Sequence, residues 1–150
     1  MQHLSALLLL CVLVAGCDSS GSGFDISDLL GTYNGARTII EGDSRTTEDI
    51  TFTVRANESA QTVELALAPE FGGEEVIRGT YDDDGIVVDF AQSGASFDFT
   101  VDRDGDIDGT FGAFGISGEV TGVLTPTRFD LTFASAGDEN ATRTEIRTSR

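Results

Sequence analysis

The chain has 150 residues, with 26 acidic against 9 basic side chains, a formal net charge of −17 and a single His. Such a polyanion repels phosphate backbones, so no nucleic acid is expected as a partner. After Cys17 there is no His, Cys, Lys or Trp, which removes His-assisted Ser or Cys nucleophiles, Schiff-base chemistry and zinc sites built on His or Cys. All nine bases are Arg, and every Arg, Asp and Glu lies after Cys17. An acid-rich, Lys-free surface stays hydrated and screens its self-repulsion in high salt, which reads as a halophilic composition.

The first element is an apolar run from Leu4 to Ala15. It is too short to cross a hydrocarbon core of about 30 Å, which needs about 20 residues. It has the length of a signal-peptide core, the alternative being a buried helix of the folded domain. Val14-Ala15-Gly16-Cys17 ends the run, and small residues before a Cys at this point resemble a bacterial lipobox. The segment ahead of it, Met1-Gln2-His3, carries no Lys or Arg. The resemblance implies a signal peptide over 1–16, cleavage before Cys17, a thioether-linked diacylglycerol on Cys17 and an acylated amine (a palmitate-type anchor). It also implies a place in the bacterial cell envelope, facing periplasm or exterior. Two or three acyl chains make a stable anchor where one does not. Asp18-Ser19-Ser20-Gly21-Ser22-Gly23 reads as a flexible tether. Asp18 beside the lipidated Cys resembles an inner-membrane retention signal.

The folded domain is expected over 24–136, as one unit with one core. Asp25 to Leu30 predicts one helical turn capped by Asp25 or Ser27. From there apolar residues alternate with Thr, Asp, Glu, Ser and Arg, as in Ile50/Phe52/Val54, Val63/Leu65/Leu67 and Phe97/Phe99/Val101. Period two with one apolar face is the pattern of a half-buried strand. The breaks carry turn residues: Glu41-Gly42-Asp43-Ser44, Phe71-Gly72-Gly73, Asp82-Asp83-Asp84-Gly85, Ser93-Gly94 and Asp104-Gly105. Strands are predicted over 32–40, 47–55, 61–68, 75–82, 86–91, 95–103, 106–112, 114–124 and 127–134. The expected fold class is all-β: an antiparallel up-and-down meander barrel of about 8–10 strands. Residues 137–150 read as a polar tail, with a short strand near Thr144–Arg147 as the alternative to fraying.

Several constellations bear on function. From Asp104, with Asp106 and Asp108, the chain reads Asp-x-Asp-x-Asp-Gly, the first half of a calcium-binding loop. The bidentate Glu belongs at position twelve, where Gly115 stands, so the alternatives are a weak Ca²⁺ site and a plain hairpin around Asp104-Gly105. In the first strand Tyr33 and Arg37 share a parity and both face inward if one does. An inward Arg37 could hold a ligand carboxylate, or snorkel to the rim. The ten Phe, about one per strand, are expected as core packing. Gly35, Gly79, Gly109, Gly118 and Gly122 fall within strands. They either leave room for a ligand or permit the bends of a small barrel.

Gly31-Thr32-Tyr33 after a helical turn, followed by the meander, resembles a lipocalin or calycin barrel, with Tyr33 standing where lipocalins have Trp. Gly-rich repeats such as Asp108-Gly109-Thr110-Phe111-Gly112 and Gly118-Glu119-Val120-Thr121-Gly122 resemble those of other bacterial lipoprotein barrels. The lipocalin resemblance implies a non-catalytic carrier of a small apolar or amphipathic ligand, bound by residues such as Tyr33 and Arg37. No cofactor is expected. The rival expectation is a structural or protein-interaction lipoprotein with its barrel filled by its own side chains.

Overall fold

In a computed structural model of the chain, the structure describes residues 23–92, 94–113, 115–135 and 142–150. Ten strands follow a short 3-10 turn at Ile26–Asp28: β1 Gly31–Glu41, β2 Ser44–Asn57, β3 Thr62–Pro69, β4 Glu75–Asp82, β5 Gly85–Gln92, β6 Ala95–Val101, β7 Asp106–Ala113, β8 Ile116–Thr125, β9 Arg128–Ser135 and β10 Thr142–Ser149. Each pairs antiparallel with its neighbours in sequence, and β1 pairs with β10, so the sheet is a closed up-and-down barrel. The alternation expected from sequence supplies its inward face: Phe52, Val54, Val63, Val88, Val101 and Val120 are all buried.

The polar tail is the main correction. Residues 142–149 form a full strand, and the domain does not end at 136. β10 pairs with β1 in the register Arg37↔Ile146 and with β9 in the register Ile146↔Leu131. Only Ile146 gives it apolar weight, yet Thr148 is also buried, its hydroxyl donating to the Phe129 carbonyl at 3.0 Å. A strand with partners on both sides satisfies its backbone in full, which holds it despite a polar sequence.

The strand glycines settle between their two expected roles. A Cβ at Gly35, Gly79, Gly109, Gly118 or Gly122 would run into the carbonyl oxygen of an adjacent strand. They let backbones approach where the sheet coils, and open no space for a ligand.

The two poles of the barrel differ. At one pole the 3-10 turn plugs the opening with buried Ile26 and Leu29. Asp25 caps it by accepting the Ser27 N–H at 2.9 Å, which holds the Asp25 carboxyl below its ordinary value. The Phe24 N–H reaches the Asp83 carbonyl at 3.2 Å. Arg150 donates to the carbonyls of Leu29, at 3.0 Å, and Leu30. At the other pole lie the β1–β2, β3–β4, β5–β6, β7–β8 and β9–β10 connections, and no element caps it among the described residues.

Candidate functional site: an open apolar cavity

Beneath the uncapped pole lies a cavity of about 300 Å³, at the lower end of the range for small-molecule sites. Deep in it, Phe52 and Phe129 stack with ring planes 12° apart, beside Leu65, Leu124 and Leu131. Higher up, Phe133 meets Phe97 and Phe111 edge-on, with centroids 5.9 and 5.5 Å away. Ile116 stands at the rim, 49% exposed, and lines the same space. The few polar groups on the wall are Arg37, Glu75, Ser135, Thr142 and Thr144. Four of the five come from the adjacent strands β1, β9 and β10, which gives the cavity one polar flank.

Arg37 lines the cavity as its parity predicts, but its guanidinium is engaged. Nε and Nη2 lie 2.7 and 2.6 Å from the same Glu48 oxygen, and both side chains are about four-fifths buried. Glu48 escaped the sequence reading. The signal for it was the Gly42-Asp43 turn, since a two-residue hairpin loop fixes register, and that register sets Glu48 opposite Arg37. The inward hydroxyls of Ser135, Thr142 and Thr144 also escaped, because they lie at the end of β9 and in the segment read as a tail. Ser135 Oγ accepts the Thr142 N–H at 2.9 Å.

Tyr33 points inward but does not line the cavity, which corrects its expected ligand role. Its side chain is 0% exposed and belongs to the plugged pole. The hydroxyl donates to the Leu29 carbonyl at 2.9 Å and lies 3.0 Å from that of Thr125. The Arg150 guanidinium sits over the ring, 4.7 Å from its centroid. Burial pushes the Tyr33 phenol above its ordinary value, and the charge of Arg150 pulls partly against this.

Asp104, Asp106 and Asp108 form a hairpin on the outside of the barrel. Asp102 Oδ1 accepts the N–H groups of Asp104 and Asp106, each at 2.9 Å, and Gly105 takes a positive φ of 86°. Asp106 and Asp108 face solvent. Among the described residues no three His, Cys, Asp or Glu side chains converge as metal ligands. Arg103 ties this hairpin to the preceding acidic turn, donating to the Asp83 carbonyl at 2.9 Å and pairing with Asp84. Cys17 and the whole leader lie outside the described residues.

No family model and no curated protein matches the chain. Among solved structures it resembles a protein of unknown function from the DUF3598 family of Nostoc punctiforme, with a TM-score of 0.62 and 16% identity. The match covers 86% of this chain and 50% of the other, so this chain spans about half that protein's length. At that identity the likeness is one of fold: a closed antiparallel β-barrel of ten strands.

Proposed function

We propose that the chain is a lipid-anchored envelope lipoprotein whose barrel carries a small apolar or amphipathic molecule without catalysis. The open, Phe- and Leu-lined cavity carries this reading. Interiors are normally packed to crystal-like density, so a void of this size supports a binding role. The alternative is a structural or protein-interaction lipoprotein that carries no ligand. The anchor rests on Val14-Ala15-Gly16-Cys17, and it would hold the protein on a membrane facing periplasm or exterior.

The barrel lies wholly within the chain from Asp18, so that form serves for binding. It should bind a polarity-sensitive dye at one-to-one stoichiometry and release it to an apolar competitor. Leu67→Trp, which fills the cavity from its wall, should weaken the dye by about tenfold or more. Saturable binding that Leu67→Trp leaves untouched, in a variant of unchanged melting temperature, removes the cavity from the proposal. For the anchor, full-length Cys17→Ser should stay unprocessed or leave the detergent phase. Partitioning identical to the parent overturns the lipobox reading.

A further inference from the structure

Resting on the carrier reading, we infer that the cavity takes a neutral amphiphile, with an alcohol or carbonyl head, in preference to an ionised carboxylic acid. The only cation on the cavity wall among the described residues is Arg37. Its charge is already matched by Glu48, through two nitrogens on one carboxylate oxygen. The wall's other charged group is Glu75, which is acidic and exposed near the mouth. An incoming carboxylate would meet a neutralised Arg37, the Glu48 charge behind it and the Glu75 charge at the mouth on β4. To gain Arg37 it must displace Glu48, leaving a largely buried carboxylate without its partner, and an unpartnered ion in such a place is strongly disfavoured.

A neutral head has partners that ask for no such exchange. Thr144 lies on β10 opposite Ile39, one inward position from Arg37 toward the mouth, and Thr142 follows opposite Glu41. Ser135 reaches the same flank from β9 and is joined to Thr142 by the hydrogen bond to its N–H. Hydroxyls both donate and accept, so this flank suits an alcohol or a carbonyl equally. Below it the lining is hydrocarbon and aromatic, fit for an unbranched tail. The Arg37–Glu48 pair thus acts on selectivity through charge cancellation, and Glu48 is a positioning residue for Arg37.

Decanol and decanoate at pH 7.5 test this, competing for the bound dye in the chain from Asp18. Both carry the same tail and differ in the head alone. The wild type should prefer decanol by about tenfold or more. Any apolar cavity disfavours an ion to some degree, so the Glu48→Gln variant isolates the pair. With Arg37 released, decanoate should gain enough to bring the ratio within about threefold or reverse it. Glu75→Gln should move the ratio the same way by less. A wild-type ratio under threefold, or a Glu48→Gln ratio equal to that of the wild type, overturns the inference. If the dye binds and both competitors displace it equally, the carrier reading stands and the neutral-head inference falls. If neither dye nor competitor binds, both fall together.

Discussion

Tyr33 shows how one side chain can belong to the barrel interior and still lie outside its site. Its phenol is held protonated by burial and by the carbonyls of Leu29 and Thr125. The folded-state pKa is raised above the ordinary value of about 10. The folded state therefore binds this proton more tightly than the unfolded chain, and the resulting stability is present in full below about pH 10. It drains away as pH rises from there through the folded pKa. Chemical denaturation at pH 7, 9 and 11 should show little change over the first step and a clear fall over the second. Tyr33→Phe should cost about 1 kcal/mol at pH 7 by removing the buried hydrogen bond to the Leu29 carbonyl, and should flatten the later fall. An equally steep fall in that variant would place the alkaline titration elsewhere. At this scale the sequence was legible in parity and silent on distant partners. It set Tyr33 and Arg37 on one face of the first strand. The Gly42-Asp43 turn carried the signal for Glu48 beside Arg37, but nothing local said that Arg150, far along the chain, sits over Tyr33. That contact depends on which strands close the barrel and in what register.

At the scale of elements, β10 was the hardest to read and is the strand that closes the sheet. Strand prediction looks for apolar alternation, and residues 142–149 offer one large apolar side chain among Thr, Arg, Glu and Ser. What holds them is backbone pairing on both edges, which leaves little trace in composition. Ile146→Ala tests this directly. In a frayed tail the change costs under about 0.5 kcal/mol. With Ile146 3% exposed between β1 and β9, the cost by urea denaturation should be about 2–4 kcal/mol. The other nine strands were legible because most hairpins repeat one rule: apolar inward, polar outward, Gly or Asp at the bend, with Glu58-Ser59-Ala60-Gln61 and Pro126-Thr127 as the exceptions. Boundaries moved where backbone geometry overrode that rule. β6 stops at Val101, for instance, because Asp102 turns to cap the following hairpin.

Over the whole molecule, charge is the feature least used by the fold. Several Arg residues already face acids on the outer wall, as in Arg55–Glu74 at 3.0 Å and Arg78–Glu64 at 2.9 Å. Exposed pairs of this kind contribute about 0–1 kcal/mol each and leave a large carboxylate excess unmatched. We propose that the composition is tuned to high salt. The melting temperature should rise between low salt and 1 M NaCl or KCl, where the Debye length shrinks to about 3 Å. A flat or falling melting temperature would set the idea aside. Sulfate is unsuitable for the test, since it strengthens apolar burial by itself. Nothing in the composition told which pole of the barrel would be plugged and which would be uncapped among the described residues. That asymmetry comes from the Tyr33–Arg150–Leu29 cluster gathering at one end.

The same clustering has a mechanical consequence. β1 begins and β10 ends at the plugged pole, and the two strands are antiparallel neighbours. A pull applied between Phe24 and Arg150 therefore does not drag one strand lengthwise along the other. It peels the β1–β10 seam, loading its hydrogen bonds one at a time from Asn34↔Ser149 toward Glu41↔Thr142. Before the first of them is loaded, the Arg150 clasp on Leu29 and Leu30 must give way. The barrel is thus built like a zip fastened at one end, with a single guanidinium as its hook.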